Sequence, residues 1–197
     1  MRTFRFSLVL LAALLIATAR AHSQSQPAAD SNTHVATTVQ SNGVLAPDSI
    51  AVVTALLRAN GASESRAQVV AAAVVRHARR QSIDPLLVVG VIGVENPHLD
   101  IRARARDGSV GVMQVQPFWR SQIKGCGTDL RNADVNVCFG TRILRMAIDS
   151  SDSLTEALRR YNGCRGKGAK CARYTNAVFS RAGRALLLAR SAQEHAP

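Results

Sequence analysis

The stretch VVGVIGVENPH, Val88 to His98, decides the fold. Its first seven residues are apolar or glycine, Glu95 follows, and Asn96-Pro97 stops any helix that has run so far. Upstream, Asp84 is a capping residue and Pro85 suits a first helical turn, so the run from Pro85 to Glu95 reads as one helix. A helix apolar on every side has to be buried. The anomaly is the carboxylate at its end. Glu64, Glu156 and Glu194, the other glutamates, sit in polar surroundings, and Glu95 alone closes a core element. Desolvation and the negative end of the helix dipole would both disfavour its charged form, which predicts a raised pKa and a carboxylic acid suited to general-acid catalysis.

Working outward, the other segments are helical by period. DSIAVVTALLRAN opens with Asp48 as a cap and ends at Gly61; SESRAQVVAAAVVRHARRQ carries a capping-box pattern, Ser65 with Gln68, and a basic last turn. NADVNVCFGTRILRMAIDS is helical, SLTEALRRYNG starts with a Ser153/Glu156 box and stops at Gly163, and a last helix is expected from about Ala172 to Ala192. The expected class is all-α in a single compact domain, with room for a small β-hairpin beside the loop around Gly111.

The ends of the chain read differently. MRTFR is a basic head, FSLVLLAALLIATA an apolar run, and Ala19-Arg20-Ala21 a small-x-small site, so residues 1–21 read as an export signal. The apolar run falls short of the ~20 residues that span a bilayer, which argues against a stable membrane anchor. Residues 22–46 are polar and without period, a flexible linker, and the ordered domain is expected over 47–197. The expected location is therefore periplasmic or secreted.

Export makes disulfides the first reading of Cys126, Cys138, Cys164 and Cys171. A metal site is the competitor, but the cysteines lack C-x2-C spacing and no histidine stands at a matching interval, so no metal and no cofactor are expected. Three pairings are open; the neighbouring ones, Cys126 with Cys138 and Cys164 with Cys171, are expected because each closes a short polar loop. The net charge is +12, or +9 with residues 1–21 removed, and such a surface seeks an anion. With 4% aromatic residues and an exported chain, cell-wall carboxylates and anionic membrane surfaces are the expected partners rather than nucleic acid.

Three segments, IDPLLVVGVIGVENP (83–97), GSVGVMQVQP (108–117) and ALRRYNG (157–163), stand in an order and at intervals that resemble the signatures of soluble lytic transglycosylases, lysozyme-like enzymes that cut peptidoglycan. The resemblance spans about residues 65–187. By resemblance Glu95 is the single catalytic acid, GVMQ (111–114) matches a Gly-Leu-Met-Gln stretch, Tyr161-Asn162 an Ala-x-Tyr-Asn stretch, and Asn136 a weaker asparagine segment. The family pattern has Ser where this chain has Asn96, and a loop serine where it has Ala105; the interval from Glu95 to Gln114 is one residue longer, and RARAR (102–106) puts three arginines beside the groove.

The expected substrate-binding residues are Gln114, Tyr161, Asn162, Met113 and Tyr174. Gln114 suits an acetamido or hydroxyl group, and Tyr161 could hold Glu95 or a sugar through its phenol. Met113 packs the groove floor, and Tyr174 reaches in from the last helix. His77 and His98 have no ligand spacing and receive no role. What the resemblance implies is cleavage of the β-1,4 bond between N-acetylmuramic acid and N-acetylglucosamine in peptidoglycan glycan strands, with closure of a 1,6-anhydro ring. Glu95 serves as acid and then as base, and no second carboxylate is needed. Asp100 and Asp107 are candidates for a second carboxylate by their nearness in sequence, but pairing with Arg102, Arg104 or Arg106 explains them, and they come into play only under a hydrolytic reading. Two rival readings are a goose-type lysozyme, whose hydrolysis needs a water-activating carboxylate, and a non-catalytic peptidoglycan-binding component of an envelope-spanning secretion, conjugation or pilus apparatus. Service to such an apparatus is also one expected setting for the enzyme.

Overall fold

The computed structural model describes residues 49–164 and 168–194; the expected export signal and linker lie outside the described residues. Seven helices are present among them: α1 (Ile50–Ala59), α2 (Glu64–Arg80), α3 (Pro85–Glu95), α4 (Trp119–Gln122), α5 (Ala133–Asp149), α6 (Leu154–Tyr161) and α7 (Ala169–Glu194). The fold is all-α, lysozyme-like and one compact domain, built around α3.

The sequence signals at α3 act as written. Asp84 accepts from the Leu86 N–H at 2.8 Å and Pro85 occupies the first turn. Val88, Val89, Val91 and Ile92 are entirely buried, with α7 along one side and α1 and α2 on the others. Gly90 explains how closely α7 approaches: a Cβ there would lie 2.8 Å from the Val178 carbonyl oxygen and 3.0 Å from the Ala182 methyl. The two helices meet nearly backbone to backbone, and that register carries the first half of α7 past the end of α3, where Glu95 sits.

Elsewhere the caps differ from expectation. α1 is capped by Ser49, which accepts from the Val52 N–H at 3.2 Å; Asp48, the expected cap, lies outside the described residues. α2 begins after Ser63, two residues before the expected cap Ser65. Glu64 therefore sits in the first turn, where the helix dipole favours it, ion-pairs with Arg58 at 2.7 Å and accepts from Gln68 at 2.9 Å. The Gln68 amide is thus spent on a side chain instead of closing a capping box. Ser153 does accept from the Glu156 N–H at 3.2 Å. α7 starts three residues earlier than the expected Ala172, and the short α4 was not foreseen.

The segment between α3 and α5 is irregular, and the hairpin is reduced to two isolated antiparallel bridges, Arg104 with Val110 and Val110 with Val115. Asn136 of α5 holds it from below. Its amide donates to the carbonyls of Val110 at 2.8 Å and Leu130 at 2.9 Å, and its oxygen accepts from the Met113 N–H at 2.8 Å. Fully satisfied and buried, such a side chain fixes a loop that has no sheet or helix of its own. Cys126 is joined to Cys138 and Cys164 to Cys171, with Cα atoms 5.6 and 5.7 Å apart. The first bridge ties the same irregular segment to α5. No helix among the described residues is long and apolar enough to cross a membrane.

Candidate active site

An open cleft runs between the end of α3, the loop that follows it, α4 and the end of α6. Glu95, half-buried, enters it from α3. Burial pushes its carboxyl above the ordinary glutamate range, and the nearby charge of Asp107 adds to that; a hydrogen bond from Tyr174 opposes both without reversing the direction. The Tyr174 hydroxyl donates to Oε1 at 2.7 Å, so the proton of the neutral acid belongs on Oε2. The Tyr174 phenol is itself pushed well above the tyrosine range by burial and by Glu95, and remains a donor.

The phenol on Glu95 is therefore that of Tyr174, not that of Tyr161. Tyr161, at the last position of α6, donates to the Met113 carbonyl at 2.8 Å and is likewise held protonated by burial. Of the expected site residues, Gln114, Tyr161 and Asn162 line the cleft with Glu95. Met113 does not: its side chain is entirely buried over Gly140, so only its backbone serves the site. Tyr174 stands behind Glu95 rather than on the cleft wall.

The turn bearing Gln114 is strained and tied down. Gln114 has a φ of 47°, a left-handed conformation costing about 1–2 kcal/mol for a residue with a Cβ. Its side-chain amide donates to the Gly111 carbonyl at 2.8 Å. Gly111, at φ 81°, has no room for a side chain, since a Cβ would lie 2.9 Å from the Leu130 carbonyl oxygen and against the Asn136 amide. Asn96, which replaces the resembled serine, reaches the same turn. Its amide donates to Gly111 O at 3.2 Å and Asp100 O at 2.7 Å, and its oxygen accepts from the Asp100 N–H at 3.1 Å. The residue after the acid thus fastens the end of α3 to the Gly111 turn.

The arginine pairing expected for Asp100 and Asp107 is not observed: among the described residues neither is ion-paired with Arg102, Arg104 or Arg106. Asp100 Oδ1 accepts from the Arg102 backbone N–H at 2.9 Å, and Asp107 Oδ1 from the Ser109 N–H at 3.0 Å. Asx turns of this kind are local and need no reorientation of a long side chain, so they form ahead of exposed ion pairs. Asp107 also accepts from Gln116 at 3.3 Å and lines the cleft, while the three exposed arginines do not. The bonds from Ser109 hold its carboxyl below the ordinary aspartate range.

Two features of the cleft escaped the sequence reading. One is the place of Asp107 in the wall, a candidate carboxylate that the sequence alone explains as an arginine partner. The other is the pair Phe118–Trp119, with ring centroids 4.7 Å apart, lining the side formed by α4. The aromatic dipeptide after the Gln116-Pro117 step was the available signal. His77 is a structural residue, buried and within 2.8 Å of Asp134. Among the described residues no group of three metal-ligating side chains is placed to hold an ion.

The fold is lysozyme-like and helical, with a half-buried carboxyl at the mouth of an open cleft. Residues 73–181, more than half of the chain, match the Transglycosylase SLT domain, and the chain belongs to that family. Membership gives it a function of the lytic transglycosylase type, acting on peptidoglycan. No curated protein matches the chain.

Proposed function

We propose that the protein is an exported lytic transglycosylase that cuts the β-1,4 bond between N-acetylmuramic acid and N-acetylglucosamine with Glu95 as its acid and base. The observation that carries this reading is the state of Glu95: raised in pKa by burial, one oxygen occupied by Tyr174, the other left to hold a proton beside an open cleft. Glu95 gives that proton to the glycosidic oxygen. The C1–O bond breaks, its electron pair leaves with the N-acetylglucosamine oxygen, and the substrate's own acetamido oxygen stabilises the cationic C1. The muramoyl 6-hydroxyl then attacks C1 and returns its proton to Glu95. A bond is exchanged for a bond, the acid is regenerated, and no water is consumed. The tethered hydroxyl has the advantage of intramolecular reaction over solvent.

Gln114, Tyr161 and Asn162, on the cleft wall, are the residues assigned to the sugar. Tyr174 orients the acid from behind, and Met113 contributes through the carbonyl that fixes Tyr161. Mass spectrometry of muropeptides released from purified sacculi tests the reading. The expected products end in 1,6-anhydro-N-acetylmuramic acid, lighter by a water than hydrolytic ones and inert to borohydride. Predominantly reducing ends would assign the protein to hydrolysis instead.

A further inference from the structure

Asp107 stands in the cleft wall with Glu95, and nothing in the proposed reaction uses it. Three guanidinium groups lie within five residues of it in the sequence, yet none is ion-paired with it among the described residues. Its oxygens are held by neutral donors, the Ser109 N–H at 3.0 Å and the Gln116 amide at 3.3 Å. The turn is closed from within, Ala105 N–H to Ser109 O at 2.9 Å and Gly108 N–H to Ala105 O at 3.0 Å, so the carboxylate is aimed by backbone and not by a mobile partner. An anion held in place by neutral hydrogen bonds keeps its charge available to whatever enters the cleft.

What enters develops positive charge. Once Glu95 has protonated the leaving oxygen, the muramoyl C1 is cationic, and among the described residues Asp107 is the one carboxylate on the cleft wall besides Glu95 itself. Resting on the reading of Glu95 as the acid, we propose that Asp107 is the second carboxylate of this cleft, a fixed negative charge that stabilises the cationic sugar carbon as the glycosidic bond breaks. The same charge discourages Glu95 from losing its proton to solvent before substrate arrives. The other groups facing Glu95 are the phenols of Tyr174 from α7 and Tyr161 from α6. Arg160, on the cleft wall, is engaged by Glu156 at 3.4 Å, and Arg181 of α7 packs its side chain against Gly93.

Asp107→Asn is the test, because the amide oxygen can still accept from Ser109 and the amide nitrogen can donate to the Gln116 side chain once that amide turns over, so the charge is the principal loss. With soluble glycan strands as substrate, kcat should fall by about tenfold with KM little changed, because Asp107 is exposed and water screens part of its charge. The descending limb of kcat against pH, which reports loss of the Glu95 proton, should move to lower pH. Asp107→Glu, restoring the charge, should return that limb toward its wild-type position. A wild-type kcat and an unmoved limb in Asp107→Asn would overturn the proposal. Glu95→Gln in the same assay separates the two claims: if it is inactive while Asp107→Asn is normal, only the role of Asp107 is refuted. If Glu95→Gln stays active, the acid itself is refuted.

Discussion

Two carboxylates stand at helix ends, and their surroundings are opposite. Asp134 lies in the first turn of α5, where the dipole favours a negative charge, and it takes His77 at 2.8 Å and Arg76 at 3.3 Å. Glu95 lies in the last turn of α3, where the dipole opposes its charge, and it accepts a hydrogen bond from a neutral phenol. Asp134 joins α5 to α2 through charged partners and is satisfied; Glu95 meets α7 through the Tyr174 phenol and is destabilised as an anion. The same functional group thus serves cohesion in one place and, in the proposed reaction, chemistry in the other, and the difference lies in which end of the helix it occupies and what it is given to bind.

The largest effect should come from Glu95→Gln. The amide keeps shape but cannot donate the proton, so release of muropeptides should fall by about 10²–10⁴-fold or more. Thermal unfolding should show a Tm no lower than wild type, because the folded carboxyl is raised above its unfolded value and its ionisation at neutral pH works against folding. A variant with more than a tenth of wild-type activity would break the comparison at its functional side.

Tyr174→Phe sharpens it. Losing one hydrogen bond to the acid should cost about tenfold in kcat. Since that bond lowers the Glu95 pKa, its loss should move the descending limb of the rate profile to higher pH, opposite to Asp107→Asn. A limb that moves to lower pH would mean that Tyr174 does not act on Glu95.

Asp134→Ala addresses the cohesive side. Its partners are half-exposed except for buried His77, so unfolding in denaturant should show a loss of roughly 1–2 kcal/mol with activity within about twofold of wild type. A loss of activity without a loss of stability would reverse the roles assigned to the two carboxylates.

The smallest effect is the pH dependence of stability around His77. Burial lowers its pKa despite Asp134, so the folded chain refuses a proton that the unfolded chain accepts near 6.5. This contribution is intact above pH 6.5 and is lost as pH falls below it toward the folded value. His77→Gln should flatten the slope of Tm against pH in that window; an unchanged slope would show that His77 is not its source.

Much of α3 was legible because its signals are local: Asp84, Pro85, the apolar run and Asn96-Pro97 each act within a turn of where they stand. The disulfide neighbours were legible for the same reason. What the chain does not reveal locally is which phenol meets Glu95. Tyr174 is 79 residues away, and it arrives only because Gly90 lets α7 lie against α3. The arginine pairing of Asp107 failed as an expectation because turns two residues long compete better than exposed guanidinium groups, and sequence proximity does not register that. Asn96 read as a departure from a pattern, yet its three hydrogen bonds make it the fastening of the acid to the Gly111 turn.

The central claim is that Glu95 is a carboxylic acid held protonated beyond the range of an ordinary glutamate. Its side-chain carboxyl carbon can be followed directly by ¹³C NMR titration of the folded protein, with Glu95→Gln to assign the resonance. The expected midpoint lies above the ordinary 4.5, falling when Asp107 is made neutral and rising when Tyr174 loses its hydroxyl. A midpoint at or below 4.5 would contradict it.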